Sequence, residues 1–291
     1  IQEFSRGLPT TPLIKKDKIK RTYGTSITFK PDVEIFGENN RFNPIKIFKT
    51  LESKAYLFKG VQINWQCDES LLGTASNLPN SKKICYINGI LDYINHKTSL
   101  TPLFSSSFFN GNVNIEDETV EWVVSWLADD ETSFIETFCN TVHTPLGGTH
   151  ENGLRLAMTK GIKNFAELKG FKKANEFIYD DLMVSTGSIL SVFIKEPQFQ
   201  GQTKEKLVNS LTTKIVETAI KDRFETWLSN FQEVGEALLN RTINNYEERK
   251  RKKKEKEVSR KTISKKIRLP GKLADCSSDN FEDSELFIVE G

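Results

Sequence analysis

The run Ser188-Ile189-Leu190-Ser191-Val192-Phe193-Ile194 sets the tightest limit on what this chain can fold into. It is almost wholly apolar, shows no alternation with a polar face, and gives way to Pro197. A strand of that kind has to be covered on both faces, which excludes a sheet with one side in water. The rest of the chain can supply the cover. Of 291 residues, 37% are hydrophobic, including 20 Phe and 4 Trp, so a real core can form and wholesale disorder is excluded. No run of 18 apolar residues exists to make a membrane-spanning helix, and the length suggests about two domains.

Around that strand the sequence reads as mixed α and β. Ile27 and Phe29 alternate within Thr25–Phe29 before Pro31, which predicts a strand. Asn43-Pro44 predicts a helix start with a stripe through Phe42, Ile45, Phe48, Leu51 and Ala55. Val61, Ile63 and Trp65 alternate as a strand, and Ile84 with Tyr86 resume one after the polar stretch 68–82, as in an edge hairpin. A domain boundary is placed near Asn88-Gly89. Val120, Trp122, Val124 and Trp126 share one strand face with Glu121 and Ser125 opposite; Phe134, Glu136, Phe138 and Asn140 form another strand. Gly147-Gly148 makes a tight turn. Thr149 or Asn152 then caps a helix carrying Leu154, Ala157, Met158, Ile162 and Phe165. From Leu207 to Leu239 long helices carry a stripe through Leu211, Ile215, Ala219, Phe224, Trp227, Phe231, Val234 and Leu238, and 241–266 continues helically with almost none.

Charge is distributed unevenly. Residues 247–268 hold twelve basic and four acidic side chains, a local net of +8, which leaves −6 for the rest of a chain whose formal net charge is +2. The six consecutive cations Arg249, Lys250, Arg251, Lys252, Lys253 and Lys254 repel one another along a helix. Either they form a solvated helix end or they meet DNA phosphates without sequence preference. Gly201-Gln202-Thr203-Lys204 follows the buried strand and is expected to open a helix. Its lysine is either solvated or a phosphate contact. Glu290, at the end of an apolar strand over 286–289, reads either as a solvated charge or as a magnesium ligand. Four scattered cysteines and three scattered histidines give no disulfide framework, zinc site or catalytic triad, and suit a reducing cytoplasm. The first residues Ile1-Gln2-Glu3-Phe4 and the stop at Val289-Glu290-Gly291 lead us to expect a fragment of something longer.

Four blocks taken in order carry a family resemblance: GTSITFKPD (24–32), TPLGGTHENGLRLAM (144–158), SVFIKEPQFQGQTKEKL (191–207) and LPGKLADC with SELFIVEG (269–291). Across nearly its whole length the chain resembles the ATPase (B-type) subunits of bacterial type IIA DNA topoisomerases, with wording closer to topoisomerase IV than to gyrase. The resemblance implies an α+β chain in three parts. Residues 1–88 would be the C-terminal part of a GHKL-type ATPase domain, 89–260 a transducer domain, and 261–291 a linker and the first strand of a Toprim domain. It implies ATP and Mg2+ as cofactors. Double-stranded DNA, an A-type subunit carrying the catalytic tyrosine and a second copy of the chain would be its partners, with no membrane. Residue by residue, Thr25 matches the threonine near adenine, and Gln202 with Lys204 the residues reaching the γ-phosphate. Glu290 matches the Toprim magnesium ligand, and Lys272 stands in a segment near the DNA gate. The family's general-base glutamate and most of its phosphate lid have no counterpart here, so this chain alone is expected not to turn over ATP. The rival expectations are a plain DNA-binding module on the basic helix and a non-functional remnant.

Overall fold

The computed structural model describes residues 2–5, 7–14, 24–38, 41–72, 78–101, 103–105, 107–128 and 132–266, without the side chains of Phe4, Ser5 and 258–266. Two compact units are present, Ile1–Pro44 and Ile45–Gly291.

In the first unit, strands β1 (Phe4–Ser5) and β2 (Leu8–Pro9) pair antiparallel. Helix α1 (Val33–Phe36) is capped by Asp32, whose carboxylate accepts the Glu34 N–H at 2.9 Å. The strand expected over Thr25–Phe29 is absent. That stretch is irregular chain with Ile27 79% and Phe29 70% exposed. Alternation only becomes a strand where a neighbouring strand takes up the backbone hydrogen bonds, and no described segment pairs with this one.

Helix α2 (Pro44–Leu57), which belongs to the second unit from Ile45 on, has proline at its first position as expected. Phe48 and Ala55 of its stripe are buried. Phe48 meets Trp65 edge to face at 5.5 Å between centroids. Trp65 belongs to strand β3 (Ile63–Gln66), and helix α3 (Glu69–Leu72) precedes strand β4 (Ser81–Ile84). β3 and β4 pair antiparallel, Ile63 opposite Ile84, so the expected hairpin is there.

After helix α4 (Ile90–Lys97) come β5 (Phe109–Ile115), β6 (Glu118–Trp126), β7 (Phe134–Cys139), β8 (Val142–His143), helix α5 (Thr149–Leu168), helix α6 (Tyr179–Leu182) and β9 (Thr186–Phe193). The chain then runs into α7 (Ser210–Asn230) and α8 (Gln232–Lys266). The five strands β5 to β9 form one sheet in the order β5-β6-β9-β7-β8; only the β7–β9 pair is parallel. All of the apolar run Ser188–Ile194 except Ile194 thus lies within the central strand, between β6 and β7. Leu190 and Val192 join one cluster with Trp122, Trp126, Leu154, Met158 and Phe224, while Ile189 joins Leu57, Ile90, Ile94, Val123 and Phe138 in another. Cover on both faces is what the sequence required.

That double cover corrects the reading of β6. Val120, Trp122, Val124 and Trp126 do share a face, but Glu121 and Ser125 opposite are also buried. Glu121 is tolerated there because the Lys59 ammonium reaches its carboxylate at 2.6 Å. Asn140, expected at the end of β7, lies beyond it in a turn at φ 47°. Helix α5 buries Leu154, Ala157, Met158, Ile162 and Phe165, the whole expected stripe. The long stripe that follows is split. Ala219, Phe224, Trp227 and Leu238 are buried, but Leu211 is 73% and Phe231 46% exposed. Phe231 is the joint between α7 and α8, with φ −106° and ψ 63°, so the stripe cannot continue in register through it.

Candidate functional site

Between β9 and α7 the chain makes a braced loop rather than the expected helix start. Val208 N–H donates to Gln198 C=O at 2.9 Å and Gln200 N–H to Lys206 C=O at 2.8 Å, so the two legs of the loop pair like a short hairpin. Asn209 precedes α7, where an asparagine would ordinarily cap the helix. Its side chain instead accepts the Gln198 N–H at 2.6 Å and donates to Glu196 C=O at 2.9 Å, which ties the legs together. The helix therefore starts only at Ser210.

Leu207 fixes this loop to a second one. It is fully buried and bridges both Phe199 and Gly148. Leu207 N–H donates to Gly147 C=O at 3.1 Å, Thr149 N–H to Leu207 C=O at 3.0 Å, and Leu146 N–H to Glu205 C=O at 3.1 Å. Gly148 permits the approach: at φ 135°, a Cβ there would stand 2.2 Å from the Leu207 carbonyl oxygen. Gly148 is also the first, non-helical residue of α5 and no side chain caps that helix. Thr149 and Asn152 are thus not the caps the sequence suggested; backbone of the facing loop takes the role. Blocks about fifty residues apart in sequence are in this way brought into one constellation.

At the tip of the braced loop stand Gln202 and Lys204, both exposed. Lys204 is held at φ 59°, a left-handed conformation that costs an ordinary side chain about 1 kcal/mol or more. Its ammonium lies 5.9 Å from the centre of the Phe199 ring and pairs with no carboxylate among the described residues. Phe199 in turn packs against the main core. The arrangement is a cation on a rigid base, displayed to solvent, with charge to spare for an anion.

Thr25 is exposed in the first unit. Lys272 and Glu290, with the strand expected over 286–289, lie outside the described residues. Among the described residues no group of three or more His, Cys, Asp or Glu side chains is arranged to hold a metal.

The basic run on α8 divides. Arg249 is committed to Asp181, whose side chain is only 2% exposed: Nε meets Oδ1 and Nη2 meets Oδ2, both at 2.7 Å. The Asp181 bond holds the guanidinium's pKa above its ordinary value. Lys250 pairs with Glu176. Lys252 and Arg251 make helical-turn pairs with Glu248 at 2.6 Å and Glu255 at 3.7 Å, in side chains more than half exposed for both lysine and arginine. Lys253 and Lys254 have no carboxylate partner among the described residues. Self-repulsion in the run is thus offset first by carboxylates of this same chain. Asp181 was missed because nothing near it in sequence announces an arginine 68 residues on.

Three comparisons bear on this geometry. The profile of the family described as DNA gyrase B matches residues 89–258. The chain is 44% identical over 292 residues to the DNA topoisomerase 4 B subunit of Rickettsia prowazekii (strain Madrid E), covering 100% of this chain and 44% of that protein. It is 35% identical over 277 residues to the same-named protein of Salmonella typhimurium, covering 94% and 42%. Among solved structures it is similar to the topoisomerase IV ATP binding domain of Francisella tularensis, with TM-score 0.62 and 25% identity over 74% of this chain and 56% of that one. The 43K ATPase domain of Thermus thermophilus gyrase B gives TM-score 0.65 at 24% identity, over 88% and 67%, which bears on fold alone. The chain spans less than half the length of the curated relatives it matches.

Proposed function

Because this chain belongs to the DNA gyrase B family, we propose that it is the part of a topoisomerase IV-type B subunit that passes the state of a bound nucleotide on to a DNA-facing helix. Residues 1–88 form the end of the GHKL-type ATPase domain, 89–260 the transducer domain and 261–291 a linker and the start of Toprim. The observation that supports this most is Lys204. A lysine in a strained backbone conformation, on a loop cross-braced by Asn209 and pinned through Leu207, is over-determined for a merely solvated side chain.

ATP supplies the terminal phosphate whose presence distinguishes substrate from product. Toward it, Lys204 would donate a charge-assisted hydrogen bond and Gln202 a neutral one. A bond that exists in only one nucleotide state biases the loop between two positions. Leu207 would carry that bias, because it is bonded to both the loop and the start of α5. From there α7 and α8 lead to the cationic helix end, where Arg251 to Lys254 face duplex DNA. Thr25 stands toward the adenine, and Glu290, with Mg2+, belongs to the DNA-cleaving centre whose tyrosine comes from the A-type subunit. Lys272 lies on the same DNA gate. A second copy completes the clamp. The chain by itself does not hydrolyse ATP, since the family's general-base glutamate has no counterpart in it.

The test is Lys204→Ala in the native full-length protein, with clamp closure read by crosslinking beside nucleotide affinity. Loss of one charge-assisted bond should weaken closure with a non-hydrolysable ATP analogue by roughly tenfold to a hundredfold. ADP affinity should barely move. Lys204→Arg should recover closure only in part. Lys204→Gly, which removes the backbone strain as well as the charge, should close no better than Lys204→Ala while folding at least as stably as the parent. Equal losses for both nucleotides would make Lys204 a general binding residue, and unchanged closure would return it to the solvated reading.

A further inference from the structure

The loop that carries Lys204 has a second anchor, at its other leg. β7 turns into β8 through Asn140 and Thr141, held at φ 47° and 65°. Two consecutive left-handed residues make the type I′ geometry of a two-residue hairpin. Asparagine suits it, but a β-branched threonine at positive φ is an outlier that persists only where its surroundings over-determine it. Two sets of contacts do so here.

The first runs from Asn140 to β9. The Asn140 backbone N–H donates to Val192 C=O at 2.8 Å. Its side-chain oxygen accepts the Ile194 N–H and its amide donates to Ile194 C=O, both at 2.8 Å. The side chain thus prolongs the β7–β9 ladder beyond its last backbone pair, Cys139 with Val192. Only Lys195 separates Ile194 from Glu196, whose C=O takes the Asn209 amide at 2.9 Å in the brace of the loop.

The second runs from α2 to Thr141. The Lys54 ammonium donates to Thr141 C=O and, at 2.6 Å, to its hydroxyl. Lys54 is half-buried, burial pushes its pKa below the ordinary value, and it pairs with no carboxylate among the described residues. A charge drawn partly out of water onto neutral acceptors is a poor exchange for packing alone. One turn further on, the Phe58 ring lies 5.8 Å from that of Phe193, the last residue of β9. The end of α2 therefore touches the strained turn and the end of β9 together.

We infer that Asn140 and Lys54 are positioning residues for Lys204: Asn140 fixes the strand end from which the loop springs, and Lys54 ties the turn bearing Asn140 to α2. This rests on the reading above that Lys204 meets the terminal phosphate, and adds the contacts by which α2, at the end of the ATP-binding part, sets where the loop stands. Neither side chain touches the nucleotide. Together they make the position of the loop depend on that of α2, so that the two are coupled.

The experiment measures clamp closure by crosslinking in the native full-length protein, over a concentration series of a non-hydrolysable ATP analogue and of ADP, with nucleotide affinities and thermal melts alongside. Asn140→Gly keeps the left-handed turn but drops both side-chain bonds. Lys54→Met keeps the stem but drops the charge, and Lys204→Ala is the reference. The ratio of closure with the ATP analogue to closure with ADP should fall by about fivefold or more in Asn140→Gly and in Lys54→Met, with ADP affinity unchanged. Lys54→Arg should recover part of the loss. Because both residues act through Lys204, Lys54→Met/Lys204→Ala should discriminate no worse than Lys204→Ala alone. A parental ratio in Asn140→Gly and Lys54→Met beside a lost one in Lys204→Ala would overturn the positioning role and leave the Lys204 reading standing. So would a lower melting temperature with closure reduced equally for both nucleotides, the mark of a merely structural part. A loss in Asn140→Gly but not in Lys54→Met would overturn the tie to α2. A parental ratio in Lys204→Ala would overturn both readings.

Discussion

His150 is fully buried beneath the Gly147-Gly148 turn. Its Nε2 lies 3.0 Å from the Thr144 hydroxyl and its Nδ1 has no hydrogen-bond partner. Burial disfavours the charged ring and pushes its pKa from 6.5 down to about 4. In the unfolded chain the ring takes up its proton near pH 6.5, but the folded protein refuses it until about pH 4. Stability from this residue is therefore complete above pH 6.5, falls as the pH drops toward 4, and is level below that. The whole loss is about 3 kcal/mol, from the 1.4 kcal/mol that each pKa unit represents. Urea midpoints between pH 4 and 7 should fall less steeply in His150→Gln than in the parent; parallel curves would show that other groups set the acid limit. In sequence this residue counts only as one of three scattered histidines. It stands one turn before Leu154 on the buried face of α5, and a stripe counted from Leu154 onward stops short of it.

At the level of elements, what could be read depended on whether the cause was local. The strand over Ser188–Ile194 and the stripe of α5 are legible because burial repeats along the chain itself with the period of the element. Thr25–Phe29 has the same local signal and is no strand, since pairing needs a partner that periodicity does not report. The loop over 198–208 misled for the same reason. Its shape comes from backbone bonds between Leu207 and the turn at Gly147-Gly148 and from Asn209, which turns away from its own helix. Gly148→Ala tests this coupling. A Cβ 2.2 Å from the Leu207 carbonyl cannot be accommodated without moving one of the two loops. We expect a loss of roughly 2–4 kcal/mol, with amide exchange accelerating at Thr149 and Val208 together. Faster exchange at Thr149 alone would mean that the two loops are independent.

Across the whole second unit, the arrangement is a compact sheet-and-helix body with a long rod leaving it. Helix α8 has 35 residues, about 52 Å at 1.5 Å for each. Among the described side chains its last attachments to the body are the Arg249–Asp181 and Lys250–Glu176 pairs, and about 25 Å of helix follows them. The direction of the rod is consequently set by the contacts that α8 makes around Asp181 and Glu176. Asp181 also accepts the Ile178 N–H at 2.9 Å, which makes it the start of α6 and the anchor of α8 at once. Replacing Arg249 leaves that carboxylate buried without its cation. Because the guanidinium is about a third exposed, the cost should sit below that of a fully buried pair, at roughly 2–3 kcal/mol. Lys252→Ala, three residues along the same basic run, should change stability by less than about 0.5 kcal/mol, since its pair with Glu248 lies in water. The two variants remove the same charge from the same helix. If the basic run acts only as charge, they should weaken DNA binding equally and leave strand passage scaled to it. If the rod acts as a lever, Arg249→Ala should lose strand passage in the complete enzyme well beyond its loss of DNA affinity, while Lys252→Ala loses both in proportion. Comparing strand-passage rate with duplex affinity for the pair decides between charge and leverage.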